Sequence, residues 1–437
     1  MTMADLTTTH LPPGPTEAYD MQTTAETFVR LGEWLPRYGD LILVKPLTRK
    51  HPAFLLNHPD YLKQVLVSNN TNYHKGVGFE RVKMLLGNGI IVSDGPFWRR
   101  QRRMVQPAFD RSVIAVMSEQ FQRLNLRLLD KWQAIAEQGG TINITEATND
   151  LALDIILHAI FSEDVERIFA ASGGNPFAFL VADTSRDLKL VVRFRALTKL
   201  VAEVIAQRRQ RGAVLQDFLG IMMAARDKET GAAMQDKELI DEVMTLIVAG
   251  SETSATTMNW TWYAIAQYPD VAAQFYAEID AASYEVAPAF EHIAELDYTR
   301  QIVEEALRIY PPVWLYTRKA IGEDKLGEFT IPAGSDIFIS PYYLHRNSAV
   351  WPNPEKFDPT RFTEAAIKAR HKLAYIPFSA GPRRCIGDFF GTVEAQLHFG
   401  LMGRHFKMEY LGPTPPELAP EVNLRSKQPL IMRMTKR

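Results

Sequence analysis

Phe378, Gly381, Arg383, Cys385 and Gly387 fall within ten residues in the spacing F-x-x-G-x-R-x-C-x-G, and Cys385 is the only cysteine in the chain. An apolar, helix-like run, residues 386–406, follows at once, so a thiolate here lies at a helix N-terminus. Free backbone N–H groups and the helix dipole favour negative charge at that position. The pattern therefore presents Cys385 as a metal ligand. Gly381 and Gly387 permit close backbone approach and left-handed dihedrals, which a loop pressed against a flat cofactor requires. Arg383 can then reach an anionic edge group. The alternative for a lone cysteine is a buried, inert thiol in a glycine-containing loop.

The other motifs are placed by the chain's periodicity. Helical spacing covers residues 23–38, and strand-like runs follow at 41–45 and 53–56. A short helix opens at Pro59, and residues 71–96 read as a glycine-punctuated, loop-rich stretch able to line a pocket. Residues 97–138 are helical with a break near Pro107; a strand at 141–144 and a helix at 147–161 come next. Residues 162–212 read as two helices over a short connection. A long helix is expected from an N-cap at Asp236 to about residue 267. Helices follow at 271–281 and 300–310, the latter stopped by Pro311 and Pro312. Strand-like runs such as 336–340 precede an irregular stretch, 351–378, which a compact fold must pin by side-chain contacts. The tail ends in a strand at 430–434. No repeat or linker divides the chain, so the expected fold is mostly α with a minor β region. It forms a single domain over residues 21–437, after a flexible segment at 1–20.

Three pairings within this frame carry chemistry. Glu305 and Arg308 lie three apart on a helix, where they pair; such pairs are also common on solvated surfaces. Trp98 and Arg102, four apart, share a helical face and offer two donors to a carboxylate, unless this is only a basic solvated helix. Ala249-Gly250-Ser251-Glu252-Thr253 sets an acid and an alcohol among small residues in an apolar helix. That arrangement suits either a tight helix crossing or a relay of protons through bound water.

Taken in order, these motifs span residues 98–387 and resemble the cytochrome P450 superfamily of haem-thiolate monooxygenases, in its soluble bacterial type. The resemblance implies that Cys385 is the axial ligand of haem b, in a loop with Phe378, Gly381, Arg383 and Gly387. It also implies that Trp98, Arg102, Arg318 and Arg383 hold the propionates. Glu305, Arg308 and Arg361 become a buried network that positions the loop. Thr253 hydrogen-bonds dioxygen and Glu252 supplies protons. Apolar candidates for the substrate pocket are Phe79, Leu85, Leu86, Ile91, Val92, Leu246, Ala249, Val313, Trp314 and Leu315, which favours a lipophilic substrate.

Composition narrows the partners. A net charge of -2 in 437 residues argues against nucleic acid as a partner. One cysteine excludes an internal disulfide framework and fits a cytoplasmic setting. With its Thr- and Pro-rich start, the chain is expected to lack a membrane anchor. No flavin or iron–sulfur module is evident, so electrons are expected from NAD(P)H through a ferredoxin or flavodoxin and its reductase. Arg99, Arg100, Arg103 and Arg384 form a candidate basic face for that donor, and the enzyme is expected to be a monomer. Ring closure, coupling or peroxide-driven oxidation at the same site is the alternative activity.

Overall fold

The computed structural model describes residues 11–182, 188–212 and 215–437. The chain builds two compact units, each from three segments. One comprises Met1–Glu80, Glu304–Cys385 and Glu417–Lys427; the other comprises Arg81–Val303, Ile386–Pro416 and Gln428–Arg437. This interleaving explains why no linker is visible in the sequence.

The first unit is organised by a five-stranded sheet in the spatial order Leu41–Val44, Ala53–Leu56, Asp336–Ile339, Tyr316–Ala320, Tyr73–Lys75. Only the pair Ala53–Leu56 and Asp336–Ile339 is parallel, with Phe54 opposite Ile337. The first two strands are continuous apolar runs buried at every position, as a sheet covered on both faces demands. Successive side chains point to opposite faces. Leu41, Leu43, Phe54, Leu56, Ile337 and Ile339 accordingly enter one apolar cluster, and Ile42, Val44, Ala53, Leu55 and Phe338 the other. The helix Ala25–Tyr38, capped by Thr24, adds Leu31 and Trp34 to the second cluster.

Residues 11–20 are not the flexible lead-in expected from composition. The Leu43 N–H donates to the Pro13 carbonyl at 3.0 Å and the Tyr19 N–H to Lys45 at 2.8 Å. Asp20 accepts from the amides of Leu47 and Thr48, both at 3.0 Å. Residues 1–10 lie outside the described residues.

The second unit is helical, with a three-stranded sheet of Thr141–Asn143, Ile431–Lys436 and Phe406–Tyr410. Its axis is the 32-residue helix Asp236–Gln267. The N-cap is Gln235, not Asp236 as expected, because Glu238 at the third helical position reaches back to the Gln235 N–H at 2.8 Å. The C-terminal half is buried on nearly all sides, with Trp260, Trp262 and Tyr263 enclosed. There Trp262 donates its indole N–H to His398 Nε2 at 2.9 Å, while His398 Nδ1 donates to Asn125 Oδ1 at 2.9 Å. The imidazole thus joins three helices, and burial pushes its pKa down to about 3.

One stretch departs from expectation, and a second holds its two expected helices with one added turn. Residues 71–96 contain the strand Tyr73–Lys75 and the helix Phe79–Leu86, because the glycines bracket the helix instead of interrupting it. Residues 162–212 hold the helices Asp164–Ser172 and Leu188–Arg211 and the single turn Phe179–Ala182. The buried Arg208 fastens the end of the longest of these. It donates to Asp164 at 2.7 Å, to both oxygens of Asp217 at 2.7 Å, and to the Phe161 carbonyl at 2.8 Å.

Candidate active site

Within the first unit the cysteine loop is folded on itself. The Cys385 N–H donates to the Phe378 carbonyl at 2.8 Å, Ser379 N–H to Ile376 at 3.0 Å and Arg384 N–H to Gly381 at 3.1 Å. Closing these turns puts Ser379 at φ 58° and Gly381 at φ 67°. A Cβ at Gly381 would stand 2.0 Å from the Leu66 carbonyl oxygen, so only glycine fits. Gly387 has no such need. Its φ is -94°, and it is the N-cap of the helix Asp388–His405, which starts two residues later than the apolar run suggests. Cys385 is exposed and Phe378 and Arg383 are half-buried. The inert buried thiol is therefore not what the loop contains.

Behind this loop lies a buried ionic cluster whose hub is Arg308. Its Nε and Nη2 clasp Glu305 at 2.6 and 2.7 Å, and its remaining donors reach the carbonyls of His345 at 2.8 Å, Pro354 at 2.7 Å and Lys356 at 3.0 Å. Both side chains are fully buried. Burial raises the Glu305 pKa, opposed by Arg308, the Asp358 amide and Arg361. Arg361 joins the cluster from its rim: its Nε is 3.6 Å from Glu305, while Nη2 donates to the carbonyls of Pro352 and Asn353. The irregular stretch is thus pinned chiefly through its carbonyls. Arg370 adds a second pin, lying over the rings of Trp351 and Phe362 at 4.5 and 4.8 Å.

Sequence reasoning missed His345. It is fully buried; its Nδ1 donates to the Arg308 carbonyl at 3.2 Å and its Nε2 accepts the Ile376 N–H at 2.9 Å. Burial and the nearby Arg308 hold it neutral, its pKa well below the usual imidazole range. No spacing signal marks it, since its partners lie 37 and 31 residues away. Arg318 is buried in its strand, with Nη1 on the Thr317 carbonyl at 2.9 Å and its guanidinium 5.2 Å from the Tyr316 ring centre.

In the second unit Trp98 is buried and Arg102 half-buried on the helix Gly95–Val105, where Arg102 Nε donates to Gln106 at 3.0 Å. The expected basic face is largely cancelled. Arg100 pairs with Glu238 at 2.7 Å, and Arg103 pairs with Asp227 and Glu229, both at 2.9 Å. The Arg103 guanidinium holds Asp227 below the usual carboxylate range. Arg99 and Arg384 are exposed.

On the long helix, residues 243–247 are buried and 258–265 are buried, but 248–250 and 252–254 are only half-buried. A window of partial accessibility therefore opens in mid-helix around Glu252 and Thr253. Thr253 Oγ1 donates to the Ala249 carbonyl at 2.7 Å, and the helix continues unbroken through this turn. The tight helix crossing is present as well: a Cβ at Gly250 would meet Ile156 at 2.9 Å. Ser254 donates to Glu394 Oε2 at 2.8 Å, and burial pushes the Glu394 carboxyl up to about 8.

The pocket candidates divide by burial. Leu85, Ile91, Ala249 and Val313 are half-buried, and Leu86, Val92 and Leu246 are buried. Phe79 faces the Lys75 ammonium at 4.5 Å. Trp314 and Leu315 are core residues, which corrects their assignment to the pocket. They belong to the second apolar cluster, where Trp314 meets Phe28 edge-on at 5.2 Å and donates to the Glu421 carbonyl at 2.7 Å.

These groups fit a haem by their chemistry. An exposed thiol on a constrained loop is suited to serve as an axial donor, and Trp98, Arg102, Arg318 and Arg383 carry N–H groups of the kind carboxylates accept. The family model for cytochrome P450 matches residues 21–172 and 173–433, and the chain belongs to that family. It is 34% identical to cyclooctatin synthase of Streptomyces melanosporofaciens over 89% of this chain and 87% of the relative. It is 34% identical to cyclooctat-9-en-7-ol 5-monooxygenase of the same organism, covering 83% and 81%. The pentalenene oxygenase of Streptomyces avermitilis is 28% identical over 84% of each chain. A solved structure, the cytochrome P450DA heme domain, superposes with a TM-score of 0.86 at 25% identity and 98% coverage of both chains. The protein is an oxidoreductase of the haem-thiolate monooxygenase class. Among the described residues no helix is long and apolar enough to cross a membrane.

Proposed function

We propose that this enzyme inserts one oxygen atom of O2 into a terpenoid hydrocarbon or alcohol, using haem b ligated by Cys385. The observation that carries this reading is the exposed Cys385 thiol on a self-bonded loop that only glycine at 381 permits. Bound haem supplies oxygen activation, and a thiolate ligand favours O–O cleavage. Trp98, Arg102, Arg318 and Arg383 would hold the propionates. The Glu305–Arg308–Arg361 cluster and His345 act on the chemistry only by positioning the loop.

Thr253 and Glu252 handle protons. In the resting geometry the Thr253 hydroxyl is committed to the Ala249 carbonyl; it donates elsewhere by rotating about χ1 while its oxygen stays available as an acceptor. Glu252, half-buried in the same window, exchanges protons with solvent and returns them to Thr253. The substrate class rests on the apolar character of the pocket candidates and on the relatives, whose names specify cyclooctat-9-en-7-ol and pentalenene. We assign electron delivery to a ferredoxin or flavodoxin with its NAD(P)H reductase, in the cytoplasm, to a monomeric enzyme. Arg100 and Arg103 are already ion-paired, which leaves less of the expected basic face for docking.

Reduced protein under carbon monoxide should show the red-shifted Soret band of thiolate-ligated haem, and Cys385→Ala should lose it. Retention of the band in that variant would overturn the assignment. Cyclooctat-9-en-7-ol and pentalenene should each shift the ferric Soret band at concentrations where lauric acid does not; a stronger response to lauric acid would move the substrate to the fatty acids.

A further inference from the structure

In the second unit the helices Arg111–Glu137 and Ile144–Phe161, joined through the strand Thr141–Asn143, lie side by side. A groove of about 560 Å³ runs between them, within the range of small-molecule sites, roughly 300–1,000 Å³. None of the residues assigned above to haem, protons or substrate lines it.

The groove has an apolar floor and two charged walls. Leu124, Trp132, Ile142 and Leu151 are its buried members. On the first helix Arg127 and Lys131 stand four apart, and on the second Glu146, Asp150 and Asp154 repeat every four residues, so each row shares one helical face. Opposite charges therefore line opposite sides. Among the described residues, however, no ion pair crosses the groove: Arg127 turns to Glu166 outside it at 3.9 Å, and Glu146 accepts from Asn143 at 3.3 Å. The charged groups of Lys131, Asp150 and Asp154 make no hydrogen bond or ion pair with any described residue. Partial burial lifts the Asp154 carboxyl above its ordinary range, and His158, Lys131 and Arg127 reverse this only in part.

The floor holds an unmet donor. Trp132 is fully buried, and its indole N–H has no partner among the described residues, a state that costs free energy unless an acceptor arrives. Its inner ring neighbours have none to give. Trp262 and Phe406 carry no side-chain acceptor, and His398 Nε2 is already taken by the Trp262 N–H. The groove is the other surface that Trp132 meets.

We propose that this groove binds a small zwitterion with an apolar body, of the kind a short apolar peptide presents. Its carboxylate accepts from Trp132 and Lys131, its ammonium donates to Asp150 and Asp154, and its side chains lie on Leu128, Ile135 and Ile142. A cation alone would leave the Trp132 N–H unmet and face Lys131 and Arg127; an anion alone would face three carboxylates. Every residue invoked belongs to one unit, so the site stands independently of the haem-thiolate reading.

Calorimetric titration of the haem-loaded enzyme at pH 7 compares three probes of one shape. These are L-leucyl-L-leucine, its N-acetyl form, which has no ammonium, and its C-terminal amide, which has no carboxylate. The zwitterion should bind with one-to-one stoichiometry, and each singly charged form at least about tenfold more weakly, as loss of a charge-assisted hydrogen bond implies. Asp150→Asn/Asp154→Asn should weaken the zwitterion and the amide but not the N-acetyl form. Lys131→Gln should weaken the zwitterion and the N-acetyl form but not the amide. Trp132→Phe keeps the ring and removes the N–H, and should follow Lys131→Gln; the wall variants lie at the surface, so the inference stays testable if Trp132→Phe folds poorly. No heat from the zwitterion at millimolar concentration would overturn the site. Equal binding of all three probes, or an amide that binds as tightly as the zwitterion, would overturn the zwitterion as its occupant.

Discussion

Arg308→Ala tests the idea that the loop cluster has one hub. In the folded protein Arg308 directs five hydrogen bonds at 2.6–3.0 Å, two to Glu305 and three to backbone carbonyls, with no exposure of either charged side chain. Truncation strands the Glu305 carboxyl in a buried site, a class of change that costs about 3–5 kcal/mol. Arg361→Ala removes two carbonyl contacts and an ion pair of 3.6 Å from the rim, so about 1–2 kcal/mol is expected. The ordering Arg308→Ala well below Arg361→Ala is the content of the prediction. Urea midpoints at constant m-value measure both, and the reduced carbon-monoxide spectrum reports whether haem is retained. The double variant Glu305→Ala/Arg308→Ala should be less unstable than the sum of its single changes, because no charge is then left alone. Equal losses for Arg308→Ala and Arg361→Ala, or strict additivity in the double variant, would refute the hub.

Stability should also depend on pH through two buried acids. Glu242 and Glu394 are both pushed up to about 8 by burial, from an ordinary 4.5. The folded state therefore binds more protons than the unfolded state between those values. Each group's contribution is complete below about pH 4.5 and is lost as pH rises through about 8, by on the order of 4–5 kcal/mol. Urea midpoints of Glu394→Gln and Glu242→Gln, subtracted from the wild type, should show that slope removed; parallel curves would mean the acids are ionised when folded. Thr253→Ala should keep haem and the substrate-induced Soret shift while product per NADPH falls roughly 10- to 1000-fold and hydrogen peroxide rises. Wild-type coupling in that variant would show that the Thr253 hydroxyl is not part of the proton path.

The readings that stood from sequence alone are those that a local rule determines. Glu305 and Arg308 meet because a helix brings positions three apart together, and the full spacing around Cys385 carries a family resemblance, which a single cysteine does not and which the family match bears out. Alternating and continuous apolar runs likewise placed the strands and the long helix. What needed the tertiary structure is every pairing across long sequence separation. Arg308 is the hub because three carbonyls between residues 345 and 356 fold around it. Arg100 and Arg103 are neutralised by carboxylates more than 120 residues away. Asp241 and Glu242 look like an ordinary helix start until residues about 150 positions earlier deliver two amides to them. Burial also divides residues of like composition: Trp314 becomes core while Ala249 stays half-accessible. Hydrogen bonds and desolvation act over ångströms in space, and sequence spacing measures such distances only within one helix, strand or turn.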